Sequence, residues 1–440
     1  MDKYRVKPLT GTAPLAVRVP GSKSITNRAL MLAALGQGEC CLQGVLFSDD
    51  SRAFLSCLKE LGFEVRIEEE KQQVTVTGLG GVIPNRNASI NVRSAGTAAR
   101  FLTVMLAFAG GSYRLDSSEQ MKKRPMEPLL CELRRAGVKI TCLEQEGHFP
   151  FTVQSEGLVL EEIEIDTNIS SQFASALLMA ATLLPDGLRV RMLGGRSEGA
   201  YVRMTLAMLQ QFGIRYHRDG AVCVVEKSRG YGLPQYEIEP DMSAACYFYA
   251  MAAILNRQVT VLGTHEQSLQ GDKCFLDVLR SLGCRVEDRA EGITVTGVEH
   301  YPGITVNMKD FSDQTMTMAV VAAFADTPTR IEQVGHIRMQ ESDRICAIVT
   351  ELNRMGVGCR ELPECDGIEI TPAPVQPAEI ETYEDHRVAM AFTLVGLRSD
   401  GIVIRNPMCC AKTFEHYFDV VDSLYERSQQ DGIEENWQDQ

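Results

Sequence analysis

The sequence predicts an α/β protein of two similar domains, each made of three copies of a βαβαββ unit with buried helices and outer sheets. A long apolar helical run recurs six times at intervals of 70 to 75 residues, and a short polar cluster precedes each run; the runs begin near Arg28, Ala98, Phe173, Ser243, Thr315 and Arg387. A Leu four residues ahead of a Gly recurs five times, at Leu58/Gly62, Leu133/Gly137, Leu209/Gly213, Leu279/Gly283 and Leu352/Gly356. A fixed period of this length indicates one supersecondary unit used repeatedly.

Each element of the repeat has its own signal. The polar clusters, rich in Ser, Thr, Asp, Lys or Arg, are typical of helix N-termini. Runs such as 98–109 and 315–324 are apolar nearly all round, which predicts helices buried inside their domain. The repeated Gly suits the left-handed residue that follows a second helix, and alternating segments such as 64–67 and 73–77 come next as strands. Helices inside and sheets outside describe an inside-out α/β barrel.

The chain length favours two domains, because 440 residues exceed what one core usually supports. The sixth repeat ends after its second helix, at 414–425, so we expect N-terminal strands at 3–7 and 15–19 to replace the strands that it lacks. The predicted domains are residues 20–239, and residues 1–19 with 240–427; an acidic, disordered tail follows at 428–440. Two chain crossings, near Pro20 and Pro240, predict a cleft with a two-strand hinge.

Composition excludes several classes of protein. Hydrophobic residues make up 45% and charged residues 23% of the chain, as is usual for a soluble globular protein. No run approaches the roughly 20 apolar residues that span a bilayer, and the opening residues lack a signal-peptide core. The 14 cysteines are scattered without a CxxC pair, which indicates a reduced, cytoplasmic chain without structural zinc. A formal charge of −14 argues against nucleic acid as a partner, but not against small anions held by local cations. We expect a monomer with no membrane partner.

The first polar cluster, residues 20–28, has the composition of an anion site. Its sequence, PGSKSITNR, places a Pro-Gly turn before Ser24, which we expect to cap a helix, and sets Lys23 and Arg28 about the helix start. Each residue alone is also explained as an ordinary cap or a solvated cation. Six buried helices whose N-termini converge on one cleft would aim six partial positive charges at a bound anion.

The string PGSKSITNRAL resembles a signature of the enolpyruvyl transferase family. Segments that resemble further motifs of its shikimate-pathway branch follow in order: Ala95-Gly96-Thr97 with Arg100, Lys123-Arg124-Pro125, Ser170-Ser171-Gln172, Asp313, Glu341 with Asp343-Arg344, Asp385-His386-Arg387, and Lys412-Thr413-Phe414. The resemblance implies transfer of the enolpyruvyl group of phosphoenolpyruvate to the 5-hydroxyl of shikimate 3-phosphate, with release of phosphate, in chorismate and aromatic amino-acid biosynthesis. This branch is also the target of the herbicide glyphosate.

The resemblance also implies a role for each matched residue. Asp313 and Glu341 are the acid/base candidates, because the reaction protonates a methylene and deprotonates an alcohol; Lys23 is the third catalytic candidate. The cations expected on phosphoenolpyruvate are Lys23, Arg124, Arg344, Arg387 and Lys412, with Gly96 letting the substrate lie against backbone. The residues expected on shikimate 3-phosphate are Ser24, Arg28, Ser170, Ser171, Gln172 and Tyr201. The predicted substrate-binding set is completed by Ser94, Thr97, Ser197, Asp313, His336, Gln340 and His386, and the chemistry requires neither a metal nor a cofactor.

Some residues of this set have simpler explanations. Asp313 could cap the helix that begins near Thr315, residues 341–344 could be a surface charge run, and His386 could be a buried structural histidine. Taken singly, none of these positions indicates catalysis. Their weight comes from their occurrence together at repeat boundaries.

The chain departs from the family pattern at a few positions. Gln340 stands where Lys is usual, Ser94 and His336 stand where Asn is frequent, and the segment 197–201 is one residue longer than usual. Gln340 can form hydrogen bonds but supplies no charge, which puts the usual contact with the shikimate ring in doubt.

Two other functions compete with the first. The chain could be the cell-wall member of the same superfamily, which transfers enolpyruvate to UDP-N-acetylglucosamine. That branch commonly carries a reactive Cys or Asp in the segment that corresponds to 110–125, and here the segment contains no Cys. The chain could also be a catalytically silent paralogue that only binds a phosphorylated metabolite. The Ser-Ser-Gln segment at 170–172 and the retained carboxylates favour the shikimate-pathway activity over both.

Overall fold

The computed structural model of the chain divides into two compact units. Residues 21–239 form the continuous unit, and residues 1–20 with 240–440 form the discontinuous unit. The structure describes residues 2–156, 158, 160–168, 170–184, 186–195, 197–226 and 230–435, with side chains described up to residue 428. Within these ranges no helix has both the length and the apolar character needed to cross a membrane.

The six predicted apolar helices are present, and each begins within five residues of its expected start. The α-helices of the described residues are α1 (Lys23–Leu35), α2 (Asp49–Glu60), α3 (Gly96–Ala109), α4 (Glu119–Lys122), α5 (Glu127–Arg135), α6 (Ser171–Ala180), α7 (Ala200–Gln211), α8 (Met242–Leu255), α9 (Phe275–Ser281), α10 (Thr315–Ala322), α11 (Arg344–Arg354), α12 (His386–Arg398) and α13 (Tyr417–Glu435). The apolar six are α1, α3, α6, α8, α10 and α12. The repeated glycines follow α2, α5, α7, α9 and α11 with φ between +77° and +96°, as the left-handed position after a helix requires.

The strands of the described ranges form six sheets. In chain order they are β1 (Lys3–Arg5), β2 (Leu15–Val17), β3 (Gln37–Gln43), β4 (Val65–Glu68), β5 (Gln73–Leu79), β6 (Asn87–Asn91), β7 (Gly111–Asp116), β8 (Lys139–Cys142), β9 (Phe151–Ser155), β10 (Glu162–Asp166), β11 (Leu188–Leu193), β12 (Tyr216–Asp219), β13 (Val222–Val225), β14 (Gln235–Glu237), β15 (Gln258–Leu262), β16 (Arg285–Arg289), β17 (Gly292–Thr296), β18 (Thr305–Asn307), β19 (Thr329–Glu332), β20 (Gly358–Leu362), β21 (Gly367–Thr371), β22 (Ala378–Ile380) and β23 (Ile402–Arg405).

One topology recurs in all six sheets. The strand orders are β14-β3-β5-β4, β6-β7-β9-β8 and β10-β11-β13-β12 in the continuous unit, and β2-β15-β17-β16, β18-β19-β21-β20 and β22-β23-β1 in the discontinuous unit. The first two strands of each order are parallel, and every later neighbour is antiparallel. In the parallel pair of β6 and β7, Ile90 lies opposite Leu115, and both side chains are buried.

The long apolar helices form the centre of each unit. In the continuous unit α1, α3 and α6 pack against one another, and in the discontinuous unit α8, α10 and α12 do the same. Every residue of α10 is buried. A helix without a polar face must be covered on all sides, and the sheets supply that cover. The predicted fold class, α/β units with buried helices and outer sheets, is confirmed.

The N-terminal strands differ from the prediction in one respect. β1 pairs with β23 in the sixth repeat, but β2 pairs with β15 in the fourth. In the other repeats the strand before the long helix is parallel to the strand after it. By that rule β2 belongs beside β3, where β14 lies instead. The chain passes to the other unit directly after β2 and again directly after β14, so each of these strands pairs within the unit that the chain is leaving. Because β2 is used in the fourth sheet, the sixth sheet keeps only three strands.

The C-terminal segment also differs from the prediction. We expected disorder from residue 428, but α13 continues to Glu435; the rest of the expected tail, 436–440, lies outside the described residues. Tyr417 and Leu424 are fully buried and anchor the first half of the helix. Extension of an existing helix is favourable where its nucleation is not, because each added residue gains one hydrogen bond.

We predict that Gly78→Ala destabilises the continuous unit. A Cβ at this position of β5 would lie 2.3 Å from the carbonyl oxygen of Ala33 in α1, so the helix and the sheet would have to separate. Overpacking of this kind costs about 1 to 3 kcal/mol. The control is Gly358→Ala in β20, because a Cβ there would approach no atom more closely than 3.3 Å, the distance to Cβ of Thr371. Urea unfolding measures the difference, and equal losses of unfolding free energy in the two variants would contradict it.

Candidate active site

The predicted anion cluster lies at the start of α1 in the continuous unit. The helix begins at Lys23, and its N-cap is Ser22, whose side chain makes no capping hydrogen bond. The expectation that Ser24 caps this helix is wrong, because the helical hydrogen bonds already begin with the Thr26 amide, which donates to the Ser22 carbonyl (2.8 Å). Ser24 therefore lies in the first turn, half-buried, at a helix end that favours negative charge.

Lys23 forms an ion pair inside the continuous unit. Its Nζ lies 3.4 Å from Oδ2 of Asp50, which belongs to the first turn of α2. The side chain of Asp50 is only 4% exposed, and that of Lys23 is 16% exposed. The cation that the sequence predicted at the helix start is thus held from a neighbouring helix.

Arg28 is buried and held by neutral groups. Its Nε donates to Oγ1 of Thr205 (2.8 Å), its Nη1 to the Ser24 carbonyl (2.9 Å), and its Nη2 to Oγ of Ser175 (3.1 Å) and the Tyr201 carbonyl (3.4 Å). Burial lowers the pKa of Arg28 to about 10, so the guanidinium stays charged at neutral pH. Among the described residues no carboxylate pairs with it, and its positive charge is uncompensated.

Two further guanidiniums meet at the N-terminus of α3. Arg100, 3% exposed, donates from Nη1 to the carbonyl of Gly96 (3.1 Å). A Cβ on Gly96 would lie 2.5 Å from Nη1 of Arg124 and 3.0 Å from Nη1 of Arg100. Burial, with Arg124 as the second cause, holds the pKa of Arg100 well below its usual value.

The two guanidiniums at Gly96 lack compensation in the part of the chain that the structure describes. Neither Arg100 nor Arg124 has a carboxylate partner there, and the Nε atoms of both are buried without a hydrogen bond. Like charges side by side at a helix N-terminus are stabilised when an anion binds between or over them. The residues around Gly96 therefore form a candidate anion site.

The predicted serine and glutamine residues lie at the next helix start. Ser170 caps α6 by accepting a hydrogen bond from the amide of Gln172 (3.3 Å), and Ser171 begins the helix. Oε1 of Gln172 is a buried acceptor without a partner among the described residues. The Arg100 guanidinium lies 6.0 Å from the ring centre of Phe173, which brings the starts of α3 and α6 together.

The remaining predicted residues of this unit are tied to the same helices. Thr97 accepts a hydrogen bond from Asn27, which joins the starts of α1 and α3. The hydroxyl of Ser94 lies 2.7 Å from that of Ser118. The ring of Tyr201 stacks near the Arg28 guanidinium, with 5.8 Å between Cζ and the ring centre, and Ser197 lies in the turn before α7.

In the discontinuous unit the predicted residues gather around Asp313. This residue lies in a short 3-10 helix just before α10, and its side chain is 15% exposed. Oδ1 accepts from Nη1 of Arg344 (3.0 Å) and Oδ2 from Nη2 of Arg387 (2.9 Å). The residue that immediately precedes α10 is Gln314, so the simpler explanation of Asp313 as the cap of that helix does not hold.

Arg344 joins Asp313 to a second buried carboxylate. Its Nε donates to Oδ2 of Asp385 (2.8 Å) and its Nη2 to Oδ1 (3.3 Å), and Nη1 also donates to Oε1 of Gln340. Burial opposes the charge of Arg344, but Asp385 and Asp313 outweigh it and raise the pKa of the guanidinium. Burial likewise opposes ionisation of Asp385, and Arg344 outweighs it and lowers the pKa of that carboxyl. Arg344 is therefore not part of a surface charge run.

Glu341 lies between an imidazole and an ammonium group. Its Oε2 is 3.0 Å from Nδ1 of His386 and 3.3 Å from Nζ of Lys412. Glu341, Asp385 and His386 each bring a possible metal ligand within 4.8 Å of the others. A divalent ion there would stand beside Lys412 and Arg344, which already balance the two carboxylates, so the cluster does not fit a metal.

The positions that depart from the family pattern belong to the same cluster. Gln340 accepts a hydrogen bond from Arg344, and Nε2 of His336 lies 2.7 Å from Oγ of Ser312, the residue before Asp313. A Lys at 340 would bring an ammonium towards Arg344, whereas Gln offers a neutral acceptor. The substitution thus fits its local environment.

Three buried acidic residues beside the predicted set were absent from it: Asp50, Asp272 and Asp385. Asp385 lies within a matched motif and is the N-cap of α12, so the sequence carried a signal for it. Asp50 and Asp272 precede or begin helices, and nothing in the local pattern separates them from solvated acidic residues. Only the tertiary structure reveals that each is buried.

The sequence matches the EPSP synthase (3-phosphoshikimate 1-carboxyvinyltransferase) family over residues 5–421. The 3-phosphoshikimate 1-carboxyvinyltransferase of Trichormus variabilis is 41% identical over 419 residues, covering 95% of this chain and 98% of the relative. The enzyme of the same name from Actinobacillus pleuropneumoniae is 37% identical over 437 residues, covering 97% of this chain and 100% of the relative.

Solved structures share the fold. The EPSP synthase from Acinetobacter baumannii aligns with a TM-score of 0.80 and 24% identity, over 96% of this chain and 98% of that chain. The enolpyruvyl transferase NikO from Streptomyces tendae aligns with a TM-score of 0.71 and 16% identity, over 96% of each chain. The sequence matches, which extend over nearly the whole chain, confirm the predicted transferase family. The chain belongs to the EPSP synthase (3-phosphoshikimate 1-carboxyvinyltransferase) family.

Proposed function

We propose that this chain transfers the enolpyruvyl group of phosphoenolpyruvate to the 5-hydroxyl of shikimate 3-phosphate and releases phosphate. The observation that carries this proposal is the pair of uncompensated guanidiniums, Arg100 and Arg124, against the backbone of Gly96. A small anion with two charged ends suits that site, and phosphoenolpyruvate has a phosphate and a carboxylate. Each charge-assisted hydrogen bond contributes about 1.5 to 3 kcal/mol.

We assign the cations Lys23, Arg124, Arg344, Arg387 and Lys412 to phosphoenolpyruvate. Arg344 and Arg387 are fixed by Asp313, and Lys412 lies beside Glu341. These side chains are held before substrate arrives, so little reorganisation is needed when charge develops during the reaction. The ion pairs therefore serve binding by preorganising the donors.

For shikimate 3-phosphate we assign the starts of α1 and α6. These two helix ends offer hydroxyls and backbone amides, a combination suited to phosphate. The free acceptor of Gln172 suits a ring hydroxyl, and the uncompensated charge of Arg28 favours an anion nearby. The residues that we assign to this substrate are Ser24, Arg28, Ser170, Ser171, Gln172 and Tyr201. The proposed substrate-binding set is completed, without assignment to one substrate, by Ser94, Thr97, Ser197, Asp313, His336, Gln340 and His386.

Proton transfer is assigned to Asp313 and Glu341. Attack of the 5-hydroxyl on the central carbon of phosphoenolpyruvate removes a proton from the alcohol and adds one to the methylene. Elimination then takes a methyl proton back as phosphate leaves. The ion pairs of Asp313 favour its ionised form, the state that a general base requires. Glu341 acts as the acid after it takes a proton from the ammonium of Lys412, which lies 3.3 Å away on the same unit.

Phosphate release from phosphoenolpyruvate tests the activity directly. Release that depends on shikimate 3-phosphate supports the proposal. Release that depends instead on UDP-N-acetylglucosamine would favour the cell-wall activity, and binding of shikimate 3-phosphate without release would indicate a silent paralogue.

We further propose that the chain works as a monomer in the cytoplasm. All 14 cysteines carry free thiols, as is usual in a reducing compartment. Light scattering at working concentration measures the mass, and a dimer would contradict the monomer.

A buried carboxyl near Asp313 makes the stability of the discontinuous unit depend on pH. Asp272 is 6% exposed and accepts a hydrogen bond from the hydroxyl of Ser243. Burial, and next the charge of Asp313, raise the pKa of Asp272 to about 7 against the opposing effect of Arg387. This carboxyl therefore changes its charge near neutral pH.

We predict that Asp313→Asn and Glu341→Gln each lower kcat by roughly 10²- to 10⁴-fold, the usual contribution of one proton-transfer group. Both substitutions keep the size of the side chain and remove its ability to exchange a proton. Asp310→Asn, at an exposed position of the same 3-10 helix as Asp313, is the control. Steady-state kinetics and thermal melting are measured together, and near wild-type turnover in folded Asp313→Asn and Glu341→Gln would remove the assignment.

Gly96→Ala is predicted to raise KM for phosphoenolpyruvate by about tenfold or more, because the added Cβ would lie 2.5 Å from Nη1 of Arg124 and displace it. A tenfold change corresponds to about 1.4 kcal/mol, close to one charge-assisted contact. KM for shikimate 3-phosphate should change little. A larger effect on that substrate than on phosphoenolpyruvate would argue against the assigned anion site.

Asp272→Asn is expected to stabilise the protein more at pH 8 than at pH 5. The folded pKa of about 7 exceeds the ordinary value of 3.8, so folding takes up a proton and the unfolding free energy falls as pH rises between these values. Asn keeps the shape without the charge and removes that fall, which amounts to about 1 to 3 kcal/mol between the two pH values. Urea unfolding midpoints measure the gain in stability. An equal gain at pH 5 and pH 8 would show that the raised pKa of Asp272 is not its cause.

A further inference from the structure

We propose that Asp50 is a positioning residue for Lys23, and that it acts on phosphoenolpyruvate only through that lysine. The proposal rests on the proposed function, which places Lys23 in the substrate site. The observation behind it is the ion pair of 3.4 Å between Nζ of Lys23 and Oδ2 of Asp50, whose side chain is almost completely buried.

The burial of Asp50 is not needed for the helix that carries it. The start of α2 already has a capping box, in which Ser48 and Ser51 satisfy each other's backbone amides. Asp49, in the same turn, is exposed and supplies the negative charge that a helix N-terminus favours. A second carboxylate could serve that purpose equally well from the surface.

A buried carboxylate is unfavourable unless a cation meets it. The cation that meets Asp50 is Lys23, which comes from the start of α1, and α1 packs directly against α2. The pair therefore spans two helices, and its geometry is set by their packing. The local sequence of α2 alone gives Asp50 no reason to be buried.

The lysine gains a fixed direction from this contact. Its ammonium sits on a flexible four-carbon stem, and the positive end of α1 repels it towards solvent. Asp50 opposes both tendencies, because it binds the ammonium from the first turn of α2, where its own carboxylate is buried. Lys23 is thus held at the start of α1, the helix that also carries Ser24.

A double-mutant cycle tests the proposal with the full chain. The variants are Lys23→Met, Asp50→Asn and the double substitution, with Asp49→Asn as the matched control from the same helical turn. Phosphate release is measured with phosphoenolpyruvate varied at saturating shikimate 3-phosphate, and urea unfolding reports whether each variant folds. Asp50→Glu is the second variant in case Asp50→Asn does not fold, since it keeps the charge and displaces it by one methylene.

We expect Asp50→Asn, or Asp50→Glu in its place, to lower kcat/KM for phosphoenolpyruvate roughly tenfold to a hundredfold, as loss of one positioned charged contact would. KM for shikimate 3-phosphate should change less than twofold. The double variant should be no slower than Lys23→Met, because a residue that acts through Lys23 has nothing left to position. Asp49→Asn should keep kcat/KM within twofold of the wild type.

Three results would overturn the proposal. Losses that multiply in the double variant would show that Asp50 acts independently of Lys23. An equal loss in Asp49→Asn would indicate a general effect of charge at the start of α2. Wild-type kcat/KM in folded Lys23→Met would remove Lys23 from the substrate site, so the assignment made under the proposed function would fail together with this inference.

Discussion

The charged side chains around Asp313 are buried in pairs of opposite sign, and Arg344 is where this pairing is most concentrated. Its side chain, 2% exposed, meets Asp313 just before α10 and Asp385 just before α12, while it stands itself at the start of α11. Loss of either carboxylate would leave a guanidinium partly unpaired in the interior, which typically costs several kcal/mol. A single side chain thus ties the fifth repeat to the sixth and fixes the position of Asp313.

The two units share a topology but differ in electrostatics. In the continuous unit Arg28, Arg100 and Arg124 have no carboxylate partner among the described residues, whereas in the discontinuous unit Arg344 and Arg387 are ion-paired. One unit offers uncompensated positive charge, which suits the binding of anions. The other offers carboxylates in fixed positions, which suits the movement of protons. A repeated architecture therefore does not imply repeated chemistry, because the side chains at equivalent helix starts have diverged.

The long helices could be predicted from the sequence because their period and apolar character belong to contiguous residues. The exchange of β2 and β14 could not, since β2 and β15 are more than 200 residues apart and no local pattern reports such a pairing. The residues around Asp313 were found through a family resemblance, which carries tertiary information indirectly. Asp50 was missed because an acidic residue in a first helical turn has the same local pattern whether it is exposed, like Asp49, or buried. The cleft stays a prediction.

The pairing of the N-terminal strands has a consequence for biosynthesis. β1 and β2 leave the ribosome well before their partners, which are residues 403–405 and 259–261. Residues 21–239 contain every strand of their own three sheets, so this unit can close while the ribosome is still adding the rest. At about 5 to 20 residues per second, β1 waits about 20 to 80 s for β23 to emerge. Both strands are without neighbours until residues 259–261 emerge; from then on only β1 waits, and the sheet that contains it is the last to be completed.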